Sequence, residues 1–269
     1  MDGKEKRIIL GLDVSTKCVG VTIAKYDGGD DIEILGVTHI KPKTPSKITG
    51  VEELLLKSRI IKDKIAEYKG VGITDIVIEE PLIGSNNSNT VATLLRFNGM
   101  ITENVYEEFG VVPSFISSYN ARKYGVPQLM AVRKFSKSGV VYDAKKVEKS
   151  LKKNEIVLFG AYPFDCAKKL ILWNIMLEKY PDIEWVYNKK GELVNENFDA
   201  SDSLVCVLGY VNMLKYGETE PTVTKYEPFT EEDSFGFKYT VSFCGKKFEK
   251  SIVLTTINEE ILGDTEEKA

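Results

Sequence analysis

The chain has 269 residues, of which 43% are hydrophobic, and a formal net charge of −4. A chain of this size can bury a hydrophobic core without crosslinks from disulfides or metals. Its four scattered cysteines indicate neither a zinc site nor a disulfide framework. The charged first residues and the lack of any run of about 18 apolar residues exclude a signal peptide and a membrane span. We therefore expect a cytoplasmic protein with no membrane partner.

The first predicted element is an apolar run that ends in a carboxylate. Residues 8–14 have the composition of a buried strand, and Asp13 lies at its carboxyl end. Ligands of open α/β sheets collect at the carboxyl ends of strands, so Asp13 is either a strand-end turn residue or a site residue.

The segments that follow predict an antiparallel meander and a crossover. Residues 18–26 and 32–40 alternate as strands around a turn of the Asp-Gly type at 27–30. Helical spacing over 51–68 then returns the chain to a strand at 76–79, parallel to the first.

This fourth strand also ends in a carboxylate, Glu79. If it pairs beside the first strand, Asp13 and Glu79 end at the same edge of the sheet, on strands about 4.8 Å apart. A helix over 90–109 and a strand over 111–117 complete a mixed five-stranded sheet flanked by helices.

A basic block follows, in which twelve Lys or Arg residues face four acids between positions 122 and 169. Such a block marks either a phosphate-contacting face or an ordinary solvated helix surface. We predict two helices within it, near 143–153 and over 163–180. The second is apolar almost all round, as in a helix that is buried on several sides or lies in a subunit interface. The candidate DNA-binding residues are Arg122, Lys123, Arg133, Lys134, Lys168 and Lys169.

Two further acids, Asp199 and Asp202, stand three residues apart at the start of a predicted helix over 199–216, after a small hairpin at 185–194. They share one helix face, although a cap and an exposed first-turn acid would explain them equally simply. Four converging carboxylates would repel, and a hard divalent cation such as Mg²⁺ resolves the repulsion. The only histidine, His39, lies on a strand that we place away from these acids, so histidine acid–base chemistry is not expected.

Residues 222–256 read as strands, and residues 263–269 read as a frayed end. A turn at 245–247 joins alternating segments at 237–243 and 248–255 into a β-hairpin. We divide the chain into a domain at 1–216, with the basic insertion at about 122–195, and a C-terminal β appendage at 217–269. The appendage either protects a sheet edge or contacts a partner or DNA.

Three acidic segments together resemble the RuvC-type Holliday junction resolvases of the ribonuclease H-like superfamily. They are Ile-Leu-Gly-Leu-Asp13-Val-Ser-Thr, Val-Ile-Glu79-Glu-Pro and Asp199-Ala-Ser-Asp202-Ser-Leu-Val. The stretch Tyr-Asn-Lys-Lys-Gly-Glu-Leu before Asp199 is similar to phage-type members, which would act in the host cytoplasm.

The resemblance implies an α/β ribonuclease H-like fold and a homodimeric endonuclease that cleaves branched or four-way junction DNA. It implies two Mg²⁺ ions per site, with Mn²⁺ as a substitute, held by the catalytic residues Asp13, Glu79, Asp199 and Asp202. Lys168 matches the catalytic lysine near the scissile phosphate, with Lys169 as the alternative.

Two other functions compete with this one. An actin-like phosphotransferase or ATPase would place nucleotide phosphate around Gly11, Asp13, Ser15 and Thr16. A DNA-binding scaffold with an inactive site is the non-enzymatic alternative. Nucleotide binding and a nuclease assay distinguish the three.

Overall fold

The computed structural model describes residues 6–81, 87–127, 130–132, 156–158, 168–231 and 234–255. The chain forms two compact units. Unit 1 combines Met1–Gly125 with Lys168–Lys215, and unit 2 combines Val126–Ala167 with Tyr216–Ala269. These units group most of the basic insertion with the C-terminal segment, whereas the sequence-based division groups it with the first domain.

Unit 1 contains the predicted mixed five-stranded sheet, in the order β3-β2-β1-β4-β5. The pairs β1–β2 and β2–β3 are antiparallel, while β4 is parallel to β1 and β5 is parallel to β4. These directions confirm the ribonuclease H-like sheet expected from the sequence. The strands are β1 (Arg7–Val14), β2 (Val19–Tyr26), β3 (Ile32–Ile40), β4 (Asp75–Glu79) and β5 (Ser114–Ile116).

The fifth strand is shorter than the predicted 111–117. Pro113 stands directly before Ser114, the first residue of β5, and has no amide hydrogen to donate to a neighbouring strand.

Helices cover both faces of the sheet. In the described part of the chain they are α1 (Gly50–Ala66), α2 (Ser88–Phe109), α3 (Ser118–Gly125), α4 (Lys168–Lys179) and α5 (Glu196–Tyr216). Leu12 and Ile78 point from the sheet into a core shared with Ile61 of α1 and Phe97 of α2. None of these helices combines the length and apolarity that crossing a membrane requires.

Helix α5 covers the opposite face, and two glycines set how closely it lies. A Cβ atom on Gly11 would stand 2.2 Å from Cγ2 of Val207, and one on Gly20 would stand 1.9 Å from the carbonyl oxygen of Asp199. The hydroxyls of Thr22 and Ser203 are also 2.8 Å apart. The backbone of α5 therefore rests almost directly on β1 and β2.

The helix predicted over 163–180 is described from Lys168, and the one predicted near 143–153 lies outside the described residues. Leu172 and Met176 of α4 are buried, whereas Leu170 is 43% exposed. The ring of Trp173 contacts that of Trp185 edge-on, with centroids 6.0 Å apart. The described part of α4 thus buries one stripe of its apolar surface.

The hairpin predicted at 185–194 is present and is tied to the start of α5. Tyr187 bridges Leu193, and Gly191 takes a φ of 77° in the turn. The side chain of Asn197 donates to the carbonyl of Val186 at 2.6 Å and accepts from its amide at 3.1 Å. The first turn of α5 is therefore held in place from outside the sheet.

Unit 2 contains the C-terminal β structure. The predicted hairpin forms from β9 (Ser234–Phe243) and β10 (Lys246–Thr255), and β8 (Thr222–Glu231) extends it to a three-stranded antiparallel sheet. Cys244 and Gly245 join β9 to β10 with positive φ angles of 47° and 69°, as in a two-residue hairpin turn. A separate two-stranded pair joins β6 (Met130–Val132) to β7 (Ile156–Leu158).

We predict that Gly20→Ala lowers the free energy of unfolding by about 1–3 kcal/mol, because its Cβ cannot fit against the Asp199 carbonyl. Urea denaturation measures the loss. Gly36→Ala, on β3 with no atom within 4 Å of the added Cβ, is the matched control. Equal stability of the two variants would contradict the close approach of α5.

Candidate active site

Asp13 and Glu79 share one edge of the sheet. The parallel pairing of β1 with β4 matches Leu12 to Ile78, and Asp13 and Glu79 are the next residue of each strand. Side chains alternate along a strand, so both residues point away from the core that holds Leu12 and Ile78. Both therefore face α5.

Helix α5 supplies the other two acids. It begins at Glu196, three residues before the predicted start, so Asp199 is a first-turn residue and not the cap. Asp199 and Asp202 are half-buried, and their charges act on Asp13. The four predicted carboxylates therefore occupy the same end of unit 1.

Burial and crowding raise the pKa values of three of these acids. Burial is the largest cause for Asp13, followed by the charges of Glu79, Asp202 and Asp199, and its pKa lies well above the usual range. Burial and then Asp202 raise the pKa of Glu79 to about 7. Burial also raises the pKa of Asp202. The site holds more negative charge than its surroundings stabilise.

Two cations on different helices partly offset this negative charge. Arg122 of α3 lowers the pKa values of Glu79 and Asp202, and Lys169 of α4 lowers those of Asp13, Glu79 and Asp202. The Nζ atom of Lys169 lies 3.7 Å from Oδ1 of Asp199, and its side chain is 63% exposed. Lys169 is thus placed where both the carboxylates and solvent can reach it.

The other predicted basic residues have different positions. Lys123 is only 3% exposed, and its Nζ lies 5.2 Å from the centre of the Tyr124 ring, so its side chain is interior. Lys168 is the first residue of α4. Arg133 and Lys134 lie outside the described residues.

Two buried thiols, Cys18 and Cys206, lie near the acids and were not among the predicted site residues. Sγ of Cys206 lies 3.6 Å from Oε2 of Glu79, and the charge of Asp199 acts on the Cys18 thiol. Burial, with the nearby carboxylates, raises the pKa values of both thiols. Cys206 could have been found from its spacing, since it follows Asp202 by four residues on the same helix face.

The placement of His39 away from the acids is wrong. His39 pairs with Gly20, and Gly20 pairs with Asp13, so the three residues form one row across the sheet. Burial lowers the pKa of His39, opposed by the charges of Glu196 and Asp199. The antiparallel pairing of β2 with β3 therefore places His39 two strands away from Asp13, at the same end of the sheet.

Asp75, at the amino end of β4, shows how a buried acid is stabilised in the same sheet. Arg7 lies 2.6 Å from its Oδ1, the Tyr210 hydroxyl donates to the same atom at 2.9 Å, and Thr74 donates to Oδ2 at 2.7 Å. The acids at the carboxyl end have far fewer such partners, which indicates that they serve a purpose other than stability.

The turn after β1 is occupied by its own hydrogen bonds. The Ser15 hydroxyl donates to the carbonyl of Cys18 at 2.8 Å and accepts from the amides of Lys17 and Cys18. Gly11 faces Val207 at contact distance and leaves no room for a ligand. This arrangement does not favour the nucleotide-phosphate loop of the phosphotransferase alternative.

The donor chemistry of the site is that of a hard divalent cation, since carboxylate oxygens crowd together with raised pKa values. Within residues that the structure describes, however, no three His, Cys, Asp or Glu side chains are arranged to hold one ion. Asp13 and Glu79 at the sheet edge and Asp199 and Asp202 on α5 lie at one end of unit 1 without forming a closed set of ligands.

Neither a protein-family model nor a curated protein matches the sequence. The structure of Thermus thermophilus RuvC is similar with 12% identity and a TM-score of 0.45, over 79% of this chain and 98% of that one. RuvC from the same organism in complex with a Holliday junction substrate is 11% identical with a TM-score of 0.46, over 80% of this chain and 98% of that one. The Ppx/GppA family member of Aquifex aeolicus is 11% identical with a TM-score of 0.33, over 80% of this chain and 92% of that one. Likenesses this distant bear on neither activity nor substrate.

We predict that the metal-free protein loses stability as pH rises from about 4.5 to about 7. Glu79 ionises at its ordinary pKa of 4.5 when unfolded but only at about 7 when folded, so the unfolded state releases its proton first. The loss is about 3 to 4 kcal/mol, since a tenfold difference in proton affinity between the two states corresponds to about 1.4 kcal/mol. It is complete above pH 7.

Unfolding free energies in EDTA measure this loss, and Glu79→Gln should remove the part that Glu79 contributes, while Asp13 and Asp202 with their raised pKa values leave a smaller pH dependence. Its neighbour Glu80 is exposed, so Glu80→Gln is the control. A Glu79→Gln protein with the same pH dependence as wild type would show that Glu79 is not the destabilised acid.

Proposed function

We propose that this chain is a metal-dependent, structure-selective DNA endonuclease that resolves four-way or branched junctions. One observation carries the proposal: four carboxylates crowd the carboxyl ends of β1 and β4 beneath α5, flanked by Arg122 and Lys169. Acids that raise one another's pKa values suit a divalent cation, and flanking cations suit a phosphodiester. The resemblance of the three acidic segments to RuvC-type resolvases, including phage-type members, points to the same chemistry.

Asp13, Glu79, Asp199 and Asp202 would hold Mg²⁺ or Mn²⁺, and two ions per site are proposed. Bound divalent ions supply an activated water and stabilise the charge of the leaving oxygen in phosphodiester hydrolysis. The carboxylates must be ionised to bind, so binding should strengthen as pH rises through about 7, where Glu79 loses its proton. Cys206 orients the Glu79 carboxylate through its thiol contact.

The flanking cations would hold the DNA strand. Lys169 is exposed beside Asp199, so its ammonium group can reach both a bound phosphate and the acid cluster. The charge of Arg122 acts on Glu79 and Asp202 from α3. We assign the site lysine to Lys169 and leave wider DNA contacts to Arg133, Lys134 and Lys168.

Paired incision of a four-way junction requires two active sites related by two-fold symmetry, so we propose a homodimer. Sedimentation at assay concentration tests it, and a mass of one chain on junction DNA would contradict it. Nucleotide binding by calorimetry tests the phosphotransferase alternative, and nuclease assays with Mg²⁺ and Mn²⁺ test the inactive scaffold.

We predict that Asp13→Asn lowers the Mg²⁺-dependent cleavage rate of a synthetic four-way junction by about a thousandfold or more, because metal-based stabilisation is worth several kcal/mol. Junction binding should persist, because the flanking cations remain. Single-turnover cleavage and gel-shift binding measure the two effects. Asp31→Asn, at an exposed position between β2 and β3, is the control. A fully active Asp13→Asn protein would remove the proposal.

We also predict that Lys169→Gln slows cleavage by about 10- to 100-fold, since a charge-assisted phosphate contact is worth about 1.5–3 kcal/mol. Lys168→Gln is the matched variant one residue away and should cost less. Single-turnover rates with saturating protein separate the chemical step from binding. A larger loss in Lys168→Gln would move the assignment to that residue.

A further inference from the structure

Helix α3 is a rigid platform beside the acid cluster. A Cβ on Gly125 would stand 2.7 Å from the carbonyl oxygen of Val205, and one on Gly209 would stand 2.8 Å from the Cα of Ala121. The side chain of Asn212 also donates to the carbonyl of Tyr124 at 2.7 Å. Backbone contacts of this kind fix α3 on α5, the helix that carries Asp199 and Asp202.

An aromatic side chain lies on the outer side of this platform. Tyr119 is 41% exposed, although α3 buries Ala121 and Tyr124 almost completely. Arg122 follows Tyr119 by three residues, a spacing that makes them neighbours on the helix surface. The charge of Arg122 acts on Glu79 and Asp202. Arg122 therefore stands between the exposed Tyr119 ring and the carboxylates in its interactions.

A single exposed tyrosine is ordinary on a protein surface. Here the ring is on a helix fixed by backbone contacts, and the neighbouring arginine has a charge that acts on the acids of the candidate site. Proteins that bind unpaired nucleic acid combine these two features, because bases stack on aromatic rings while cations follow the phosphates. Stacking does not depend on base identity, and a base paired inside a duplex cannot take part in it.

We propose that Tyr119 and Arg122 form a nucleotide subsite next to the scissile phosphate, which takes an unstacked base on the Tyr119 ring and the adjoining phosphate on Arg122. The inference rests on the proposed nuclease function and adds a feature of the substrate: an unpaired nucleotide beside the cleaved bond. Linear duplex DNA offers no such nucleotide, whereas strands that open at a branch point do. The subsite would thus contribute to the preference for branched DNA.

The test uses the full chain and a single-stranded oligonucleotide with 5-iodouracil, with Ca²⁺ in place of Mg²⁺. Irradiation should cross-link the base to Tyr119, as located by mass spectrometry of the peptides. Tyr119→Ala should weaken oligonucleotide binding by about tenfold, in line with the loss of one stacked base, while Tyr119→Phe should bind as wild type does. Tyr106→Ala removes a 51% exposed tyrosine from α2 and is the control.

The outcomes separate this inference from the nuclease proposal. Cross-links located elsewhere, no binding of the oligonucleotide, or equal affinities for Tyr119→Ala and Tyr106→Ala would overturn the subsite. Junction cleavage by the same wild-type preparation decides the nuclease function independently. Unfolding free energies of all variants show whether a lost affinity reflects lost structure.

Discussion

Helix α5 lies against β1 and β2 at a distance that only glycine permits, and the positions of the four carboxylates follow from this contact. Gly11 and Gly20 bring the helix backbone onto the sheet, so Asp199 and Asp202 come close to Asp13 and Glu79. At an effective dielectric near 20, two like charges 4 Å apart repel by about 4 kcal/mol. The fold therefore holds in place an arrangement that its own electrostatics oppose.

The two ends of the central strands handle buried charge in opposite ways. At the amino end of β4, Asp75 is neutralised by Arg7 and hydrogen bonded by Tyr210 and Thr74. At the carboxyl end, the pKa of Glu79 rises to about 7 because burial and Asp202 outweigh the nearby cations. The hydrogen bond from Tyr210 to Asp75 joins α5 to the amino end of β4. The carboxyl end, where the acids repel one another, remains available for a divalent cation. The amino end of β4 thus contributes to stability, whereas the proposed chemistry belongs to its carboxyl end.

Local charge also explains how an acidic chain could bind DNA. The net charge is −4, but Arg122 and Lys169 approach the acid edge from α3 and α4. Their attraction for a phosphate is short-ranged, since salt screens exposed charges beyond about 8–10 Å. For the proposed binding of DNA, the distribution of charge around this end of unit 1 therefore matters more than the net charge. A bound divalent cation would add to this local positive charge.

The sequence by itself determined the strands of the five-stranded sheet and of the C-terminal hairpin, most helix positions and the four acids, because hydrophobic periodicity and strand-end carboxylates are local signals. The pair of β6 with β7 was not predicted, since the basic insertion was expected to be helical. The pairing of β1 with β4 was also predictable, since a crossover helix makes the strands parallel. Tertiary structure alone decided that Lys123 is interior and that His39 lies in the row of Asp13. It also decided that Lys169 reaches Asp199. These facts depend on how closely separate elements pack, and glycine contacts between residues almost 200 positions apart set that distance.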